Sequence, residues 1–440
     1  MKNLVMGAAK GYSWDVLEPF VLSCKINCPN AELVFFVDDI SEFTRDKLIR
    51  ANVKLENFPA ELQRGIPNNT RWKIFSEYLD AHGDCEQIFI TDTRDVIFQG
   101  DIFAKFGGLT NFLGYTTEVD DIGGTKTGNR CNYNWIADYF DKITAQSLAG
   151  QKAICSGTVI GSIDAMKIFC RELWKILEHK PEDIFDQAAM NYLVWNKLLP
   201  IENLIEIDVY GGEIFTCALI NDNKIRGDKI LRGDGGIPAV VHQYDRHEEL
   251  IWFVDEIYHD KNFQADNLFT DTRSIVEQTT SLLLADKINA ASKLFLKSYL
   301  STADFKDCTG ALIRLLSIAV RKKLSKPLEL LELAVQSVGK NFIFRGGELY
   351  YICTALNRAE KSGHPVDFEF KLHVANIALN IAKSNLESNW KEDCLNAIRM
   401  IDKLNMPPDK DYFLFVAKAN RIFGCKEEAL TAYKKVLELS

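Results

Sequence analysis

The stretch Ile88–Gln99, IFITDTRDVIFQ, decides the fold class of the first half of the chain. An apolar run of strand length stops abruptly at two carboxylates, Asp92 and Asp95, and a second apolar run follows them. Carboxylates at the end of a buried strand are suited to hold a hard divalent cation. The alternative is a surface loop in which Arg94 pairs with an aspartate, and the spacing alone does not separate the two interpretations.

Two earlier apolar runs have the same form. Asn3–Met6 is followed by AAKGY, and Glu32–Val37 is followed by two aspartates, with helical segments at Ser13–Asn27 and Arg71–His82 between the runs. Apolar strands that alternate with helices predict a parallel sheet covered on both faces. Because ligands of such sheets collect at the carboxyl ends of the strands, the polar residues after each run predict a functional site there.

The composition is that of a soluble globular protein with more than one core. The 440 residues are 47% hydrophobic and 26% charged, and 52 Lys plus Arg against 61 Asp plus Glu leave a net charge of −9. An acidic chain without a dense basic run is poorly suited to wrap nucleic acid, so no nucleic-acid partner is predicted. No run approaches about 18 apolar residues, and no transmembrane segment is predicted.

The N-terminus and the cysteines favour a cytoplasmic location. The first residues, MKNLVMGAAKGY, hold too short an apolar run for a signal peptide and are predicted to form a strand. Eleven Cys without a CxxC pair argue against a zinc site or a disulfide framework and favour reduced thiols. The sequence stops at Ser440 directly after an amphipathic helix, so a shortened chain stays an open alternative.

The two halves of the chain differ in texture. Residues 1–260 hold 20 of the 26 Gly and six of the seven Trp, whereas the remainder shows helical Leu/Ala/Lys/Glu periodicity. We therefore predict an α/β domain over 1–262, a linker over 263–275 and an all-α domain over 276–440.

The helical half resembles tetratricopeptide (TPR) repeats at its end. The segment DYFLFVAKANRIFGCKEEALTAYKKVLEL predicts a helix pair with a turn at Gly424. Earlier helices, predicted at Leu328–Val338 and Gly347–Ala359, fit helical hairpins but not the repeat consensus. A TPR-like α-solenoid has a concave surface suited to a protein partner, to self-association or to presenting an acceptor, and a purely stabilising role is the alternative.

Three further segments are candidates for the site at the strand ends. An apolar strand in IPAVVHQYDRH delivers His242 at its end, where it is either a metal ligand or a structural histidine. Asp186 and Gln187 begin a helix, and capping is the alternative role of Asp186. The small residues of CSGTVIGS, Cys155–Ser162, allow close backbone approach by a ligand.

From Asn3 to about Leu250 the sequence resembles the GT-A fold glycosyltransferases, which use nucleotide sugars. The pieces AAKGY, VDD, NNTRW, TDTRDVIFQ, SGTVIGS, DQAAMN and VVHQYDRH occur in the order of that family. The nearest group is the family 8-like retaining enzymes, with bacterial surface-polysaccharide transferases beside them. The resemblance implies a Rossmann-like GT-A domain that moves a sugar from a UDP- or GDP-sugar to a glycan, lipid-linked or protein acceptor. It favours retention over inversion.

The resemblance also implies roles for individual residues. Mn²⁺ or Mg²⁺ would be held by Asp92, Asp95 and His242, and Asp186 and Gln187 would face the anomeric centre as the catalytic pair. The residues implied in donor binding are Ala8, Tyr12, Asp38, Arg71, Asp92, Arg94, Ser156, Gly157, Arg246 and His247.

The sequence departs from the family pattern at two positions. The family's metal motif is usually Asp-x-Asp, and Thr93 stands in the place of its first Asp if Asp95 is the second. Asp95 is therefore the safer ligand, and three roles stay open for Asp92: binding the metal, holding the ribose or orienting Arg94. Cys155 stands where relatives often carry Asn, which leaves an acceptor contact there open.

Two other functions compete with glycosyl transfer. A haloacid dehalogenase-type phosphotransferase needs a nucleophilic Asp two residues before a second Asp, and DTRD has a different spacing. A non-catalytic scaffold that binds sugar nucleotides is the other alternative, against which both aspartates, the histidine and the Asp-Gln pair argue.

A lipid-linked acceptor would place the enzyme peripherally at the inner face of the membrane.

Overall fold

The computed structural model describes residues 2–299, with gaps at 60–61, 63–65, 182–183, 221–223, 267 and 270, and residues 391–439, with a gap at 405–408. Ten single helical positions between 315 and 386 are described as well. The helices predicted at Leu328–Val338 and Gly347–Ala359 lie outside these residues, as does most of the predicted solenoid. The chain separates into two units, Met1–His259 and Asp260–Ser440.

The first unit is built from short strands and the helices that connect them. Its described strands are β1 (Lys2–Lys10), β2 (Ala31–Asp38), β3 (Lys54–Asn57), β4 (Cys85–Thr91), β5 (Val96–Phe98), β6 (Phe112–Asp121), β7 (Lys152–Ser162), β8 (Asn203–Ile207), β9 (Ile214–Thr216), β10 (Lys224–Arg226), β11 (Lys229–Leu231) and β12 (Val240–His242). Its described helices are α1 (Trp14–Asn27), α2 (Glu42–Arg50), α3 (Pro67–Ala81), α4 (Ile102–Lys105), α5 (Cys131–Tyr139), α6 (Lys142–Leu148), α7 (Ile163–Leu177), α8 (Asp186–Trp195) and α9 (Glu248–Ile257).

A seven-stranded mixed sheet forms the centre of this unit, in the order β3-β2-β1-β4-β7-β6-β8. The four strands β3, β2, β1 and β4 are parallel, as predicted. β7 runs antiparallel to both β4 and β6, so the prediction of an all-parallel sheet is wrong on that side. The α/β class predicted for the first half of the chain is confirmed.

Helices cover both faces of the sheet, and β2 shows how its sequence requires this. Successive residues of a strand point to opposite faces. Phe35 packs against Phe20 of α1, with ring centroids 5.4 Å apart. Its neighbour Phe36 packs against Phe75 of α3, at 5.3 Å. The continuous apolar run ELVFFV therefore fills two cores, one on each side of the sheet.

A second, three-stranded sheet in the order β5-β12-β9 brings distant parts of the sequence together. His242 at the end of β12 pairs with Val96 of β5 on one side and with Thr216 of β9 on the other. The backbone N–H of Gln243 donates to the carbonyl oxygen of Asp95 at 2.7 Å. This register fixes His242 beside the aspartates that follow β4.

The described helices of the second unit are α10 (Thr272–Leu284), α11 (Ile288–Tyr299), α12 (Lys391–Lys403), α13 (Lys410–Ile422) and α14 (Lys426–Glu438). α10 begins inside the stretch predicted as a linker. Between α13 and α14, Gly424 adopts a left-handed conformation (φ +79°) that suits glycine at a helix end. No helix in the described part of the chain is long and apolar enough to cross a membrane.

A buried histidine ties α1 to α9 in the first unit. His259 Nδ1 lies 2.6 Å from Glu18 Oε2, and its Nε2 lies 3.0 Å from Asp255 Oδ1. Burial lowers the pKa of His259, but hydrogen bonds to Asp255 and Glu18 raise it to about 9. The imidazolium is therefore the form that stabilises the fold.

We expect His259→Gln to destabilise the first unit by about 3 kcal/mol at neutral pH and by much less in alkali. Because the folded pKa lies above the unfolded value, the contribution is complete below about pH 6.5 and is lost as pH rises through about 9. Urea unfolding followed by tryptophan fluorescence measures it, since six of the seven Trp lie in this unit. A difference between wild type and variant that stays constant across this pH range would contradict the assignment.

Candidate active site

A cavity of about 300 Å³ opens at the carboxyl ends of β1 and β4. Its wall also includes Lys10, Trp135 and Ile184. Eleven of the residues predicted from the sequence line this one space: Ala8, Tyr12, Arg71, Asp92, Arg94, Asp95, Ser156, Gly157, Asp186, Gln187 and Arg246.

Three potential metal ligands converge beside the cavity. His242 Nε2 lies 3.5 Å from Asp92 Oδ2 and 3.8 Å from Asp95 Oδ1. One ligand atom from each of these residues lies within 4.8 Å of the other two. His242 is fully buried and Asp95 is 3% exposed, whereas Asp92 is accessible from the cavity. The convergence joins the end of β4 to the end of β12.

The hydrogen bonding of His242 fits a metal ligand. Its Nε2 is buried and makes no hydrogen bond of good geometry within the described part of the chain, where Asp92 Oδ2 lies 3.5 Å away, although buried polar atoms in proteins nearly always have a partner. Its Nδ1 lies 3.4 Å from the Thr216 hydroxyl and 3.7 Å from the Cys155 sulfur. A proton on Nδ1 leaves the Nε2 lone pair directed at the carboxylates. Two carboxylates and one imidazole suit a divalent metal ion.

The electrostatics of the three groups also favour a cation. Burial raises the pKa of Asp95, the attraction of His242 lowers it, and repulsion by Asp92 raises it again, for a net increase. Burial lowers the pKa of His242, but Cys155 and the two aspartates raise it well above its ordinary value. The negative field that draws a proton onto His242 acts in the same direction on a divalent cation.

Arg71 of α3 connects the two acidic parts of the site. Its Nη1 donates to Asp92 Oδ1 at 2.5 Å, and its Nη2 donates to Asp186 Oδ2 at 2.9 Å and to the Ser156 carbonyl oxygen at 3.3 Å. Burial raises the pKa of Asp92, but the opposing effects of Arg71 and His242 are larger together and hold this pKa well below its usual range. A single buried guanidinium thus orients a carboxylate from β4 and another from α8.

Asp186 is not the N-cap of α8. The N-cap position is Phe185, and Asp186 is the first helical residue. One carboxylate oxygen of Asp186 accepts from the backbone N–H of Gln187 at 2.9 Å, while the other faces Arg71. Burial raises the pKa of Asp186, and Arg71 partly opposes this.

Gly157 of β7 is required by close packing at the metal ligands. A Cβ there would lie 2.5 Å from His242 Cε1 and 2.6 Å from Asp92 Oδ2, and both distances are shorter than van der Waals contact. Protein side chains alone therefore require a glycine at position 157, which also lines the cavity.

Basic side chains stand at the mouth of the cavity. Arg94 Nε lies 3.3 Å from Asp245 Oδ2, and Arg246 Nη2 lies 3.8 Å from Asp95 Oδ2. Both side chains are nearly half exposed and can reach an anion. Lys10 lines the cavity and pairs with Asp38 at 2.9 Å.

Two of the predicted donor-binding residues do not line the cavity. Asp38 forms an ion pair with Lys10, which does line the cavity. His247 is turned away, because its Nε2 lies 2.7 Å from the carbonyl oxygen of Cys217.

Sequence reasoning missed a second polar group beside the cavity. Glu118 near the end of β6 and Asn132 of α5 both contact the side chain of Gln187. Burial raises the pKa of Glu118, and hydrogen bonds from Gln187 and Asn132 partly lower it. The polar run TTEVDD that ends β6 is the same signal that singled out Asp92.

Comparison with known proteins yields little. Neither a protein-family model nor a curated protein matches the chain. A solved structure, described as a glycosyltransferase involved in the glycosylation of the major capsid of PBCV-1, matches at 11% identity and a TM-score of 0.30. The match covers 56% of this chain and 98% of that chain. A likeness this weak carries no information about chemistry.

Proposed function

We propose that the chain is a metal-dependent glycosyltransferase that uses a UDP- or GDP-sugar. The observation that carries the proposal is the convergence of Asp92, Asp95 and the buried Nε2 of His242 beside a cavity that Asp186 and Gln187 also line. Asp92, Asp95 and His242 would hold Mn²⁺ or Mg²⁺, which would supply positive charge to offset the negative charge that develops on the diphosphate as its bond to the sugar breaks.

The protein's own side chains have separate tasks in this proposal. Lys10, Arg94 and Arg246 lie where they add positive charge around the diphosphate. Tyr12 and Ala8 contact the nucleoside, at the β1 end of the cavity. Asp186 and Gln187, which line the same cavity, face the sugar, and Arg71 holds Asp186 in place.

Two further parts of the proposal concern the stereochemistry of the transfer and the acceptor. We assign a retaining transfer to a glycan, lipid-linked or protein acceptor in surface polysaccharide synthesis, at the cytoplasmic side of the membrane. The helical second unit binds the acceptor or a protein partner. These assignments rest on the resemblance of the sequence motifs.

A release assay tests the proposed activity. The full chain is incubated with a set of UDP- and GDP-sugars, with Mn²⁺ and with chelator, and free nucleoside diphosphate is measured. We expect release from one class of donor only when metal is present. Asp95→Asn should abolish the metal-dependent release. Asp228→Asn is the matched control for that variant and should leave the release unchanged, because the Asp228 carboxylate is 71% exposed and does not line the cavity. Failure of every donor with metal would reject the transferase in favour of a binding protein.

A further inference from the structure

Two polar side chains hold Gln187 from outside the cavity lining. Gln187 Nε2 donates to Glu118 Oε1 at 3.1 Å and to Asn132 Oδ1 at 2.8 Å. Asn132 Nδ2 in turn donates to Glu118 Oε2 at 3.3 Å. The three side chains form a closed ring, in which only Gln187 lines the cavity.

Glu118 accepts a hydrogen bond on each of its two carboxyl oxygens, from Gln187 on Oε1 and from Asn132 on Oε2, and these bonds favour its ionised form although the side chain is buried. An ionised carboxylate accepts hydrogen bonds and donates none. The nitrogen of each amide must therefore point at Glu118, since an amide oxygen there would oppose a carboxylate oxygen. With its nitrogen so placed, Asn132 turns its oxygen to the second hydrogen on Gln187 Nε2. This settles an amide orientation that side-chain shape alone does not determine.

The remaining hydrogen-bonding capacity of Gln187 is small. Both hydrogens of its Nε2 are used by Glu118 and Asn132. Its Oε1 accepts from the backbone N–H of Ser156 at 3.3 Å, which leaves one lone pair.

We infer that Glu118 is a positioning residue that makes Gln187 a hydrogen-bond acceptor only. A ligand group beside Gln187 must then be a donor, such as a sugar hydroxyl or an amide N–H. A sugar with neither at that place leaves Gln187 unpaired and is bound more weakly. This inference rests on the proposed function for the identity of the ligand as a sugar, but not for the orientation of the amide.

The first test is spectroscopic and needs no ligand. The full chain is labelled with ¹⁵N-glutamine, and the side-chain signal of residue 187 is assigned by its loss in Gln187→Met. At neutral pH we expect both Nε2 hydrogens to exchange with water at least tenfold more slowly than in a free glutamine side chain. Exchange of either hydrogen at the free rate would overturn the inference.

Glu118→Gln tests the role of the charge with almost no change of shape. In the variant, the NH₂ group at position 118 faces the side-chain NH₂ group of Gln187 or of Asn132, and two donors cannot hydrogen-bond each other. All three hydrogen bonds can then form only if the amide of Gln187 or Asn132 turns over. We expect protection of the Gln187 hydrogens to be lost and donor hydrolysis to fall about tenfold. Glu206→Gln is the matched control, because it alters an exposed carboxylate paired with Lys152. Protection that survives in Glu118→Gln would overturn the assignment to Glu118.

Binding of UDP and GDP with Mn²⁺ separates this inference from the proposed function. We expect Glu118→Gln to bind the free nucleotide nearly as wild type does, since Glu118 hydrogen-bonds Gln187 and Asn132 and acts on His242 through charge attraction rather than as a metal ligand. Loss of nucleotide binding in the variant would mean general damage to the site and would overturn a positioning role. Wild type that shows protected Gln187 hydrogens but binds neither nucleotide would reject the proposed function and retain the amide orientation.

Discussion

Asp95→Asn is expected to lower metal-dependent turnover of the sugar nucleotide by about 100-fold or more, the range typical for removal of one group that stabilises transition-state charge. Asp95 is 3% exposed and lies 3.8 Å from His242. Because this position is buried, a neighbouring carboxylate has little room to move in and take over its role as a ligand. Asparagine keeps the shape and removes the charge that a divalent cation requires.

The same substitution is expected to stabilise the metal-free protein. Burial and the nearby Asp92 raise the pKa of Asp95 despite the attraction of His242. A raised carboxyl pKa means that ionisation opposes folding, so metal-free wild type loses stability as pH rises above the unfolded pKa of about 3.9. Asparagine removes this penalty.

Thermal unfolding with and without Mn²⁺ measures both effects in one protein. Wild type should gain thermal stability on adding Mn²⁺, because a ligand that binds only the folded state stabilises it. Asp95→Asn should melt higher than wild type without metal and show no gain with it. A variant that melts lower than wild type but keeps its metal response would contradict the ligand assignment.

Arg71→Met is expected to destabilise the first unit by about 3–5 kcal/mol, as when one partner of a buried ion pair is removed. Arg71 is 4% exposed, and it contacts both Asp92 and Asp186. Without it, Asp186, which is 1% exposed, is left as a buried charge without its cationic partner. Urea unfolding followed by tryptophan fluorescence is the measurement.

Two companion variants separate the ion pairs from simple packing. Arg71→Lys keeps the charge but cannot span both carboxylates with one planar group, so it should recover only part of the lost stability. Adding Asp186→Asn to Arg71→Met removes the stranded charge and should restore part of the loss. Asp186→Asn is also measured alone. If the loss of stability in the double variant equalled the sum of the losses in Arg71→Met and Asp186→Asn, the pairing of Arg71 with Asp186 would not explain the result.

Local patterns in the sequence predict the α/β class and the positions of four of the twelve described strands, β1, β2, β4 and β12. The runs at β1, β2 and β4 are apolar because helices cover both faces, and this signal is local. The direction of β7 is not predictable in the same way, since an apolar run looks alike in both directions and its helical connection resembles a parallel crossover. The second, three-stranded sheet is also missed, because its strands are short and come from distant parts of the chain.

The candidate site shows the same division between local and distant information. The polar ends of β4 and β12 indicate Asp92, Asp95 and His242 individually, but only the register between β5 and β12 shows that they meet. Glu118 follows the same rule of polar strand ends and could have been selected from the sequence. The orientation of the His247 ring could not have been predicted from the sequence, since the ring contacts the backbone carbonyl oxygen of a residue 30 positions away in the chain.

Isothermal titration of the full chain with UDP and with GDP, with and without Mn²⁺, tests the central claim most directly. We expect one nucleotide to bind only when Mn²⁺ is present, and Asp95→Asn to abolish this binding. No binding of either nucleotide with Mn²⁺, or binding of equal strength in its absence, would contradict a metal-dependent donor site at Asp92, Asp95 and His242.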